Sequence, residues 1–373
     1  MGSKVARALV CIVALAGCGG IAASPPARSP RATALLVDAR HQGLALEDPL
    51  VLDDAAVAMA RENVGLHGLP RERMQRLLRW LHDGPTAFRH APGVTVRAHE
   101  ALRTRRGDCM THAVLFVSLA RALGVDAFFV HARVARQYLE AGDTLVATTH
   151  VAVGYREGAS GYVVDVWNPV SEWRLAYYRP LDDAEALALY HSNLAVYALL
   201  DGRIAEAEAT LRYLAAAAPA VEELASNLAV ALLRGGRPAA ALRVLDDALT
   251  RSPGYGPLYT NAYLAAEALG DRARAQRYAA RGREATRGDP IFAFARGVRS
   301  FEAEDYAGAI AAFEQALSTQ GESVVLHLWL VRAYLAGGHR EKGLALYDRT
   351  RRLAPDDDRV RALPGRHPEL QAP

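Results

Sequence analysis

The sequence has little cysteine, no strong excess of either charge and no long apolar run. Three cysteines among 373 residues exclude a disulfide framework and a zinc site of the CxxC…CxxC type. A formal net charge of +3 gives no field that would attract a polyanion, so nucleic acid is not an expected partner. No uncharged apolar stretch reaches the ~18 residues of a membrane-spanning helix.

The remaining composition is typical of a folded protein with more than one domain. Hydrophobic residues make up 51% of the chain, charged residues 23% and aromatic residues 7%. Because 373 residues are too many for one ordinary domain, two or more are expected.

The N-terminus combines basic residues with a short apolar run. Lys4 and Arg7 precede Ala8–Gly17. A helix of that length covers about 15 Å, half of a bilayer core, so residues 1–17 are expected to be a signal peptide rather than a membrane anchor. The run ends in Leu15-Ala16-Gly17-Cys18.

This ending resembles the bacterial lipobox, which implies an exported protein with diacylglycerol on Cys18; an ordinary secretory signal is the alternative. Residues 18–34 are expected to begin the mature chain as a flexible tether. Gly19 favours the periplasmic face of the outer membrane, with the lipid as the only membrane contact. Cys11 would leave with the signal. Cys109 would then be the one thiol of the mature chain, where it must be buried or used.

The C-terminal half repeats every 34 residues. Each period is predicted to hold two helices, with glycine in the turn between them, alanine where they approach closely, and proline where the second ends. Three sets of residues occupy equivalent positions of the period and form its columns. The glycine column is Gly202, Gly236, Gly270 and Gly338, with Glu304 in the remaining period. The alanine column is Ala207, Ala241, Ala275 and Ala309, and the proline column is Pro219, Pro253 and Pro355.

These columns resemble tetratricopeptide repeats, with five units over residues 185–355. The resemblance implies a helical superhelix with a groove for a protein or peptide partner. An array that only packs against its neighbouring domain is the alternative. Four aromatic residues at helical spacing are interpreted as core rather than as a recognition stripe: Tyr259, Tyr263, Trp329 and Tyr334. The tail, residues 356–373, is rich in proline and predicts a poor capping helix.

Residues 35–180 have a different pattern, with helices followed by strands. Helices are predicted from Asp53 or Asp54 to Asn63, over Pro70–His82, over Val96–Arg105, and from an Asp108 N-cap to Gly124. Strands are predicted over Ala127–Val134, Leu145–Tyr155 and Tyr162–Trp167, with a hairpin turn between the last two.

Cys109 lies at the first turn of a predicted buried helix, where unpaired N–H groups and the helix dipole favour a thiolate. A nucleophilic thiolate needs a base that protonates the leaving group. His150, on the predicted strand Leu145–Tyr155, is the candidate. Asp165 lies on the neighbouring strand of the same hairpin, where it can orient the histidine. The order Cys109, His150, Asp165 is that of papain-like sites.

These segments resemble the transglutaminase-like family. The resemblance covers Arg106-Gly107-Asp108-Cys109, Arg121-Ala122-Leu123-Gly124-Val125, the His150 strand and Val164-Asp165-Val166-Trp167-Asn168-Pro169. It implies a papain-like α+β fold in which Cys109 is the nucleophile, His150 the general acid/base and Asp165 its orienter. An aromatic residue often follows the family histidine, whereas Val151, Ala152 and Val153 follow His150. The Cys109 backbone N–H is the only oxyanion donor identified.

Other nearby residues have plainer interpretations. His112 with Cys109 could suggest a metal pair, but a packed histidine is favoured. His131 could compete with His150 as the base. Arg103, Arg105 and Arg106 are interpreted as a solvated helix end. No cofactor and no metal site are predicted.

Two functions remain open. The first is a thiol enzyme that cleaves or transfers amide bonds through an acyl-thioester, with the array holding a protein partner or substrate. The alternative is a scaffold lipoprotein that binds partners through the repeats without catalysis.

Overall fold

The computed structural model describes residues 15–16, 29–84, 87–141, 144–164, 178–285 and 290–370. Cys18 and Asp165 therefore lie outside the described residues. The chain forms two compact units. The first comprises Met1–Gln137 and Thr149–Asn227, and the second Tyr138–Thr148 and Leu228–Pro373. Among the described helices, none has the length and apolar character needed to cross a membrane.

The described residues before position 127 form five helices: α1 Pro30–His41, α2 Asp54–Val64, α3 Pro70–His82, α4 Ala98–Thr104 and α5 Cys109–Ala122. The predicted starts of α2, α3 and α5 are confirmed. The Asp53 carboxylate caps α2 by accepting from the Ala56 N–H at 2.7 Å. Proline is the first residue of α3, where its missing N–H costs nothing.

Helix α1 lies partly within residues 18–34, where the sequence predicted a flexible tether. The structure differs there for two reasons. Pro30 pre-sets the backbone angle of the first helical turn. Ala32, Leu35 and Ala39 then place an apolar stripe in the core of the first unit.

The strands are β1 Leu15–Ala16, β2 Arg89–His90, β3 Arg106–Gly107, β4 Ala127–Ala141, β5 Thr144–Glu157, β6 Ser160–Val164 and β7 Tyr178–Leu181. The main sheet has the order β1-β6-β5-β4-β7, and β2 pairs with β3 in parallel. The predicted β5–β6 hairpin is confirmed, with Tyr155 opposite Tyr162. Strand β4 continues past the predicted end at Val134.

The two faces of the main sheet belong to different clusters. Phe129, Val153 and Tyr155 lie in one core with the helices, α5 among them. On the other face, Phe128 and Ala152 belong to a smaller cluster. Alternation along the strands produces this division. The predicted α+β fold class is confirmed.

Ten helices lie between the sheet and the tail in the described part of the chain. They form five pairs: α6 Asp183–Leu200 with α7 Ile204–Ala217, α8 Glu222–Arg234 with α9 Pro238–Arg251, α10 Gly256–Ala268 with α11 Arg272–Ala285, α12 Pro290–Glu302 with α13 Tyr306–Gln320, and α14 Val324–Ala336 with α15 Arg340–Leu353. The glycine column lies in the turns at positive φ, and Glu304 adopts the same conformation at φ 59°. The alanine column is buried. The predicted helical repeat is confirmed.

The first helix pair shares its core with the sheet. Leu187 and Tyr190 of α6 and Leu214 of α7 belong to the same cluster as α3 and α5. The Tyr213 hydroxyl donates to the Leu35 carbonyl of α1 at 2.6 Å. Residues 183–217 of the predicted array are therefore packed into the α+β unit.

The aromatic residues of the array are mostly packed inside, as interpreted from the sequence. Tyr259 and Tyr334 are buried. The ring of Trp329 packs against the rings of Phe294, Phe301 and Phe313.

The tail differs from its prediction, because it forms helix α16, Asp358–Arg366, and a short 3₁₀ turn, Pro368–Leu370. Val360, Leu363 and Leu370 bury their side chains in one cluster with α14 and α15. Pro364 within α16 has no N–H to donate to the Val360 carbonyl. The Tyr347 hydroxyl donates to that carbonyl at 3.2 Å instead, which makes the proline tolerable.

Candidate active site

Cys109 is the first residue of α5. It is 8% exposed and is a thiol rather than half of a disulfide. Asp108 is the N-cap, and its carboxylate accepts from the Thr111 N–H at 2.8 Å. The thiol therefore lies where the helix dipole and unpaired N–H groups favour negative charge.

The turn before Cys109 is held by the segment that contains β2. The Ala91 N–H donates to the Gly107 carbonyl, and the Asp108 N–H to the Val94 carbonyl, both at 2.8 Å. The Thr111 hydroxyl accepts from the Val96 N–H at 2.9 Å. A side chain at position 107 would collide with the Thr111 side chain, which explains the glycine of the Gly-Asp-Cys motif.

The Asp108 carboxylate is buried and has further donors. The Thr95 hydroxyl donates to its Oδ2, and the Tyr197 hydroxyl of α6 lies 3.4 Å from the same atom. Burial raises the pKa of Asp108, opposed by these hydrogen bonds. Burial is also the main cause that raises the pKa of Tyr197 to about 12, with smaller contributions from Asp108 and Cys109. Tyr197 is therefore a protonated phenol at neutral pH.

His150 lies on β5 and is 1% exposed. Burial lowers the pKa of His112 and of His90, and the charge of His150 lowers both further. Val151 and Val153 of the same strand lie in one core with α5. The structure describes Cys109 and His150, whereas Asp165 is outside the described residues. The triad stays a prediction.

His112 is a packed histidine. Its Nε2 lies 2.8 Å from Nε2 of His82 on α3, and its ring packs against Phe88 and Phe116. Burial lowers the pKa of His82 to about 4 and that of His112 well below its ordinary value. The pair is therefore neutral at pH 7. In the described residues, no three Cys, His, Asp or Glu side chains form a group that could hold a metal ion.

His131 and the basic run have other contacts. The buried His131 places its Nε2 3.2 Å from the Glu223 carboxylate of α8. His131, the alternative candidate for the base, is therefore paired with Glu223. Arg103 and Arg106 are exposed. Arg105 lies at 4.8 Å over the Trp80 ring.

Three residues near Cys109 were missed by the sequence reasoning: His90, Thr95 and Tyr197. His90 is exposed and pairs in register with Gly107. Thr95 and Tyr197 both reach Asp108. None belongs to a local motif, and Tyr197 falls in a helix that the 34-residue period assigns to the array, so no sequence signal pointed to them.

Two family models match the chain. The transglutaminase-like superfamily matches residues 57–176, and a tetratricopeptide repeat family matches residues 300–365. The chain contains a transglutaminase-like domain and a tetratricopeptide repeat region. The transglutaminase-like match spans all three predicted triad residues.

Solved structures similar to the chain are repeat proteins. A thermophilic tetratricopeptide repeat protein of Thermus thermophilus is 22% identical, with a TM-score of 0.41, covering 48% of this chain and 97% of its own. PilF of Pseudomonas aeruginosa is 18% identical, with a TM-score of 0.34, covering 48% of this chain and 82% of its own. No curated protein matches the chain.

Proposed function

We propose that this protein is an exported thiol enzyme that acts on amide bonds of proteins or peptides. Cys109 is the nucleophile, His150 the general acid/base and Asp165 its orienter. The observation that carries the proposal is a thiol at the N-terminus of a buried helix, inside a transglutaminase-like domain. The buried His150 lies on a strand whose Val151 and Val153 share the core with that helix. The repeat region recruits the protein substrate or a partner.

The chemistry follows from these roles. The Cys109 thiolate attacks the amide carbonyl carbon, and the resulting oxyanion accepts a hydrogen bond from the Cys109 N–H. As the C–N bond breaks, His150 protonates the departing amine and an acyl-thioester remains. Water then gives a carboxylic acid, or a substrate amine gives a new amide. Either step restores the thiol.

The location of the enzyme is part of the same proposal. Diacylglycerol on Cys18 holds the chain in the cell envelope, on the periplasmic face of the outer membrane. No other membrane contact is required.

One observation favours the scaffold as a second candidate. Cys109 is 8% exposed and His150 is 1% exposed, so little of either side chain meets solvent. A domain that only binds partners needs no access to these atoms.

The pH dependence of the rate at which iodoacetamide alkylates Cys109 distinguishes the enzyme from the scaffold. We would measure it on the full chain carrying Cys11→Ser and Cys18→Ser, which leaves Cys109 as the one thiol. A catalytic thiolate should react fast down to about pH 6, well below the ~8.5 of an ordinary cysteine. His150→Ala should lose this reactivity, because the imidazolium that stabilises the thiolate is gone.

His131→Ala is the matched control, because it removes another buried histidine from the neighbouring strand. It should leave the pH profile unchanged. If Cys109 reacts only near pH 8.5 in every protein, or not at all, the catalytic proposal fails and the scaffold function stands.

A further inference from the structure

Helix α6 is joined to α5 by long side chains at both ends. At the C-terminal end of α5, Arg121 forms two hydrogen bonds with the Asp183 carboxylate, at 2.8 and 3.0 Å. At its N-terminal end, Tyr197 of α6 reaches Asp108. The two attachment points are about 20 Å apart along each helix, so α6 runs antiparallel to α5 over its whole length.

Both attachments are largely withdrawn from water. The Arg121 and Asp183 side chains are 16% and 8% exposed. Asp108 is 6% exposed, and Tyr197 is partly buried. A carboxylate in such surroundings needs donors, and Asp108 has the Thr111 N–H, the Thr95 hydroxyl and the Tyr197 hydroxyl.

We infer that Tyr197, on the first helix of the repeat region, is a positioning residue for Cys109 and acts through the Asp108 carboxylate. The inference rests on the proposed function. By donating a hydrogen bond, the Tyr197 hydroxyl withdraws electron density from the Asp108 carboxylate. Asp108 directly precedes Cys109 in the chain. A weaker negative field at Asp108 makes the neighbouring thiolate easier to form. The first repeat thereby contributes to the electrostatic environment of the Cys109 thiol.

Tyr197→Phe tests this, because it keeps the ring and removes the hydroxyl. With Thr95 and Thr111 still donating, Asp108 stays charged and its field on the thiol is stronger. We expect the midpoint of the alkylation profile of Cys109 to rise by about half a pH unit, which lowers the rate about threefold at pH values well below both midpoints. The protein is the full chain with Cys11→Ser and Cys18→Ser.

Tyr213→Phe is the matched control. It removes a phenol hydroxyl from the same helix pair, but that hydroxyl donates to the Leu35 carbonyl. It should lower the melting temperature and leave the alkylation midpoint unchanged. If Tyr197→Phe behaves in the same way, Tyr197 is only structural and the inference is overturned.

A double-mutant cycle tests the route through Asp108. Asn is a good N-cap, so Asp108→Asn keeps the cap of α5 while removing the charge. In that background Tyr197→Phe should no longer shift the midpoint; a persisting shift contradicts the inference. Should Tyr197→Phe not fold, fluorotyrosine at position 197 is a stronger donor and should lower the midpoint, and an unchanged midpoint contradicts the inference.

Failure here is distinct from failure of the proposed function. Alkylation reports the thiol without any substrate, so the Tyr197 effect is measurable whether the wild-type midpoint is low or near 8.5. A thiol that is inert in every variant overturns both the proposed function and the positioning role. A wild-type alkylation midpoint near pH 8.5 contradicts the proposed enzyme function. An alkylation midpoint that is unchanged in Tyr197→Phe contradicts only the positioning role.

Discussion

At the scale of single residues, the buried histidine pair His82 and His112 makes stability depend on pH. Both pKa values are lowered by burial, that of His82 to about 4 from an ordinary value of 6.5. In the unfolded chain both rings take up a proton below about pH 6.5, whereas the folded pair resists it. Stability is therefore complete above pH 6.5 and falls as the pH drops toward 4.

We predict that the free energy of unfolding falls by about 2 kcal/mol from His82 alone between pH 7.5 and pH 5. His82→Gln should flatten this dependence, because the amide does not titrate yet can still donate to His112. Urea unfolding at the two pH values measures it. His41→Gln, at an exposed histidine of α1, is the control. Equal losses in wild type and His82→Gln would contradict the prediction.

At the scale of secondary-structure elements, the β4–β5 contact depends on a close approach at Gly154. A Cβ built there would collide with the Phe128 ring, so the strand needs glycine. His150 lies four residues earlier on the same strand. The absence of a side chain at position 154 therefore helps to fix the register of the strand that carries the proposed base.

Gly154→Ala should lower the free energy of unfolding by about 1–3 kcal/mol, because the Phe128 ring must leave its place. Thermal melts measure the loss. Gly254→Ala is the matched control, since a Cβ there meets nothing within 4 Å. If the two variants melt alike, the ring is not held at Gly154 as tightly as the structure indicates.

At the scale of the whole molecule, the first helix pair of the predicted array contributes to the core of the α+β unit. Leu187, Tyr190 and Leu214 are buried in that core, as is Leu224 at the start of α8. Removing them would expose the apolar faces of α1 and α5 to water. The folding unit is therefore larger than the predicted domain of residues 35–180.

We predict that residues 29–236 unfold cooperatively, whereas residues 29–181 do not, because the shorter piece lacks α6 and α7. Circular dichroism melts of the two fragments compare them. A sharp transition in residues 29–181, at the temperature of the longer fragment, would show that the helix pair is dispensable.

The sequence by itself determined the features that depend on neighbours a few residues apart. The Asp53 and Asp108 caps, the amphipathic face of α3 and the 34-residue period are readable because capping and helical packing act within one or two turns. The Gly-Asp-Cys turn before Cys109 is local in the same sense, and so is the hairpin between β5 and β6.

Only the tertiary structure decided which distant residues surround that turn. Tyr197 reaches Asp108 across 89 positions of sequence, and His82 meets His112 across 30. The helical tail was mispredicted because the effect of Pro364 depends on Tyr347, which donates to the carbonyl that the proline leaves without its helical N–H. Such contacts follow from how the elements pack, and no periodicity or local motif records that packing.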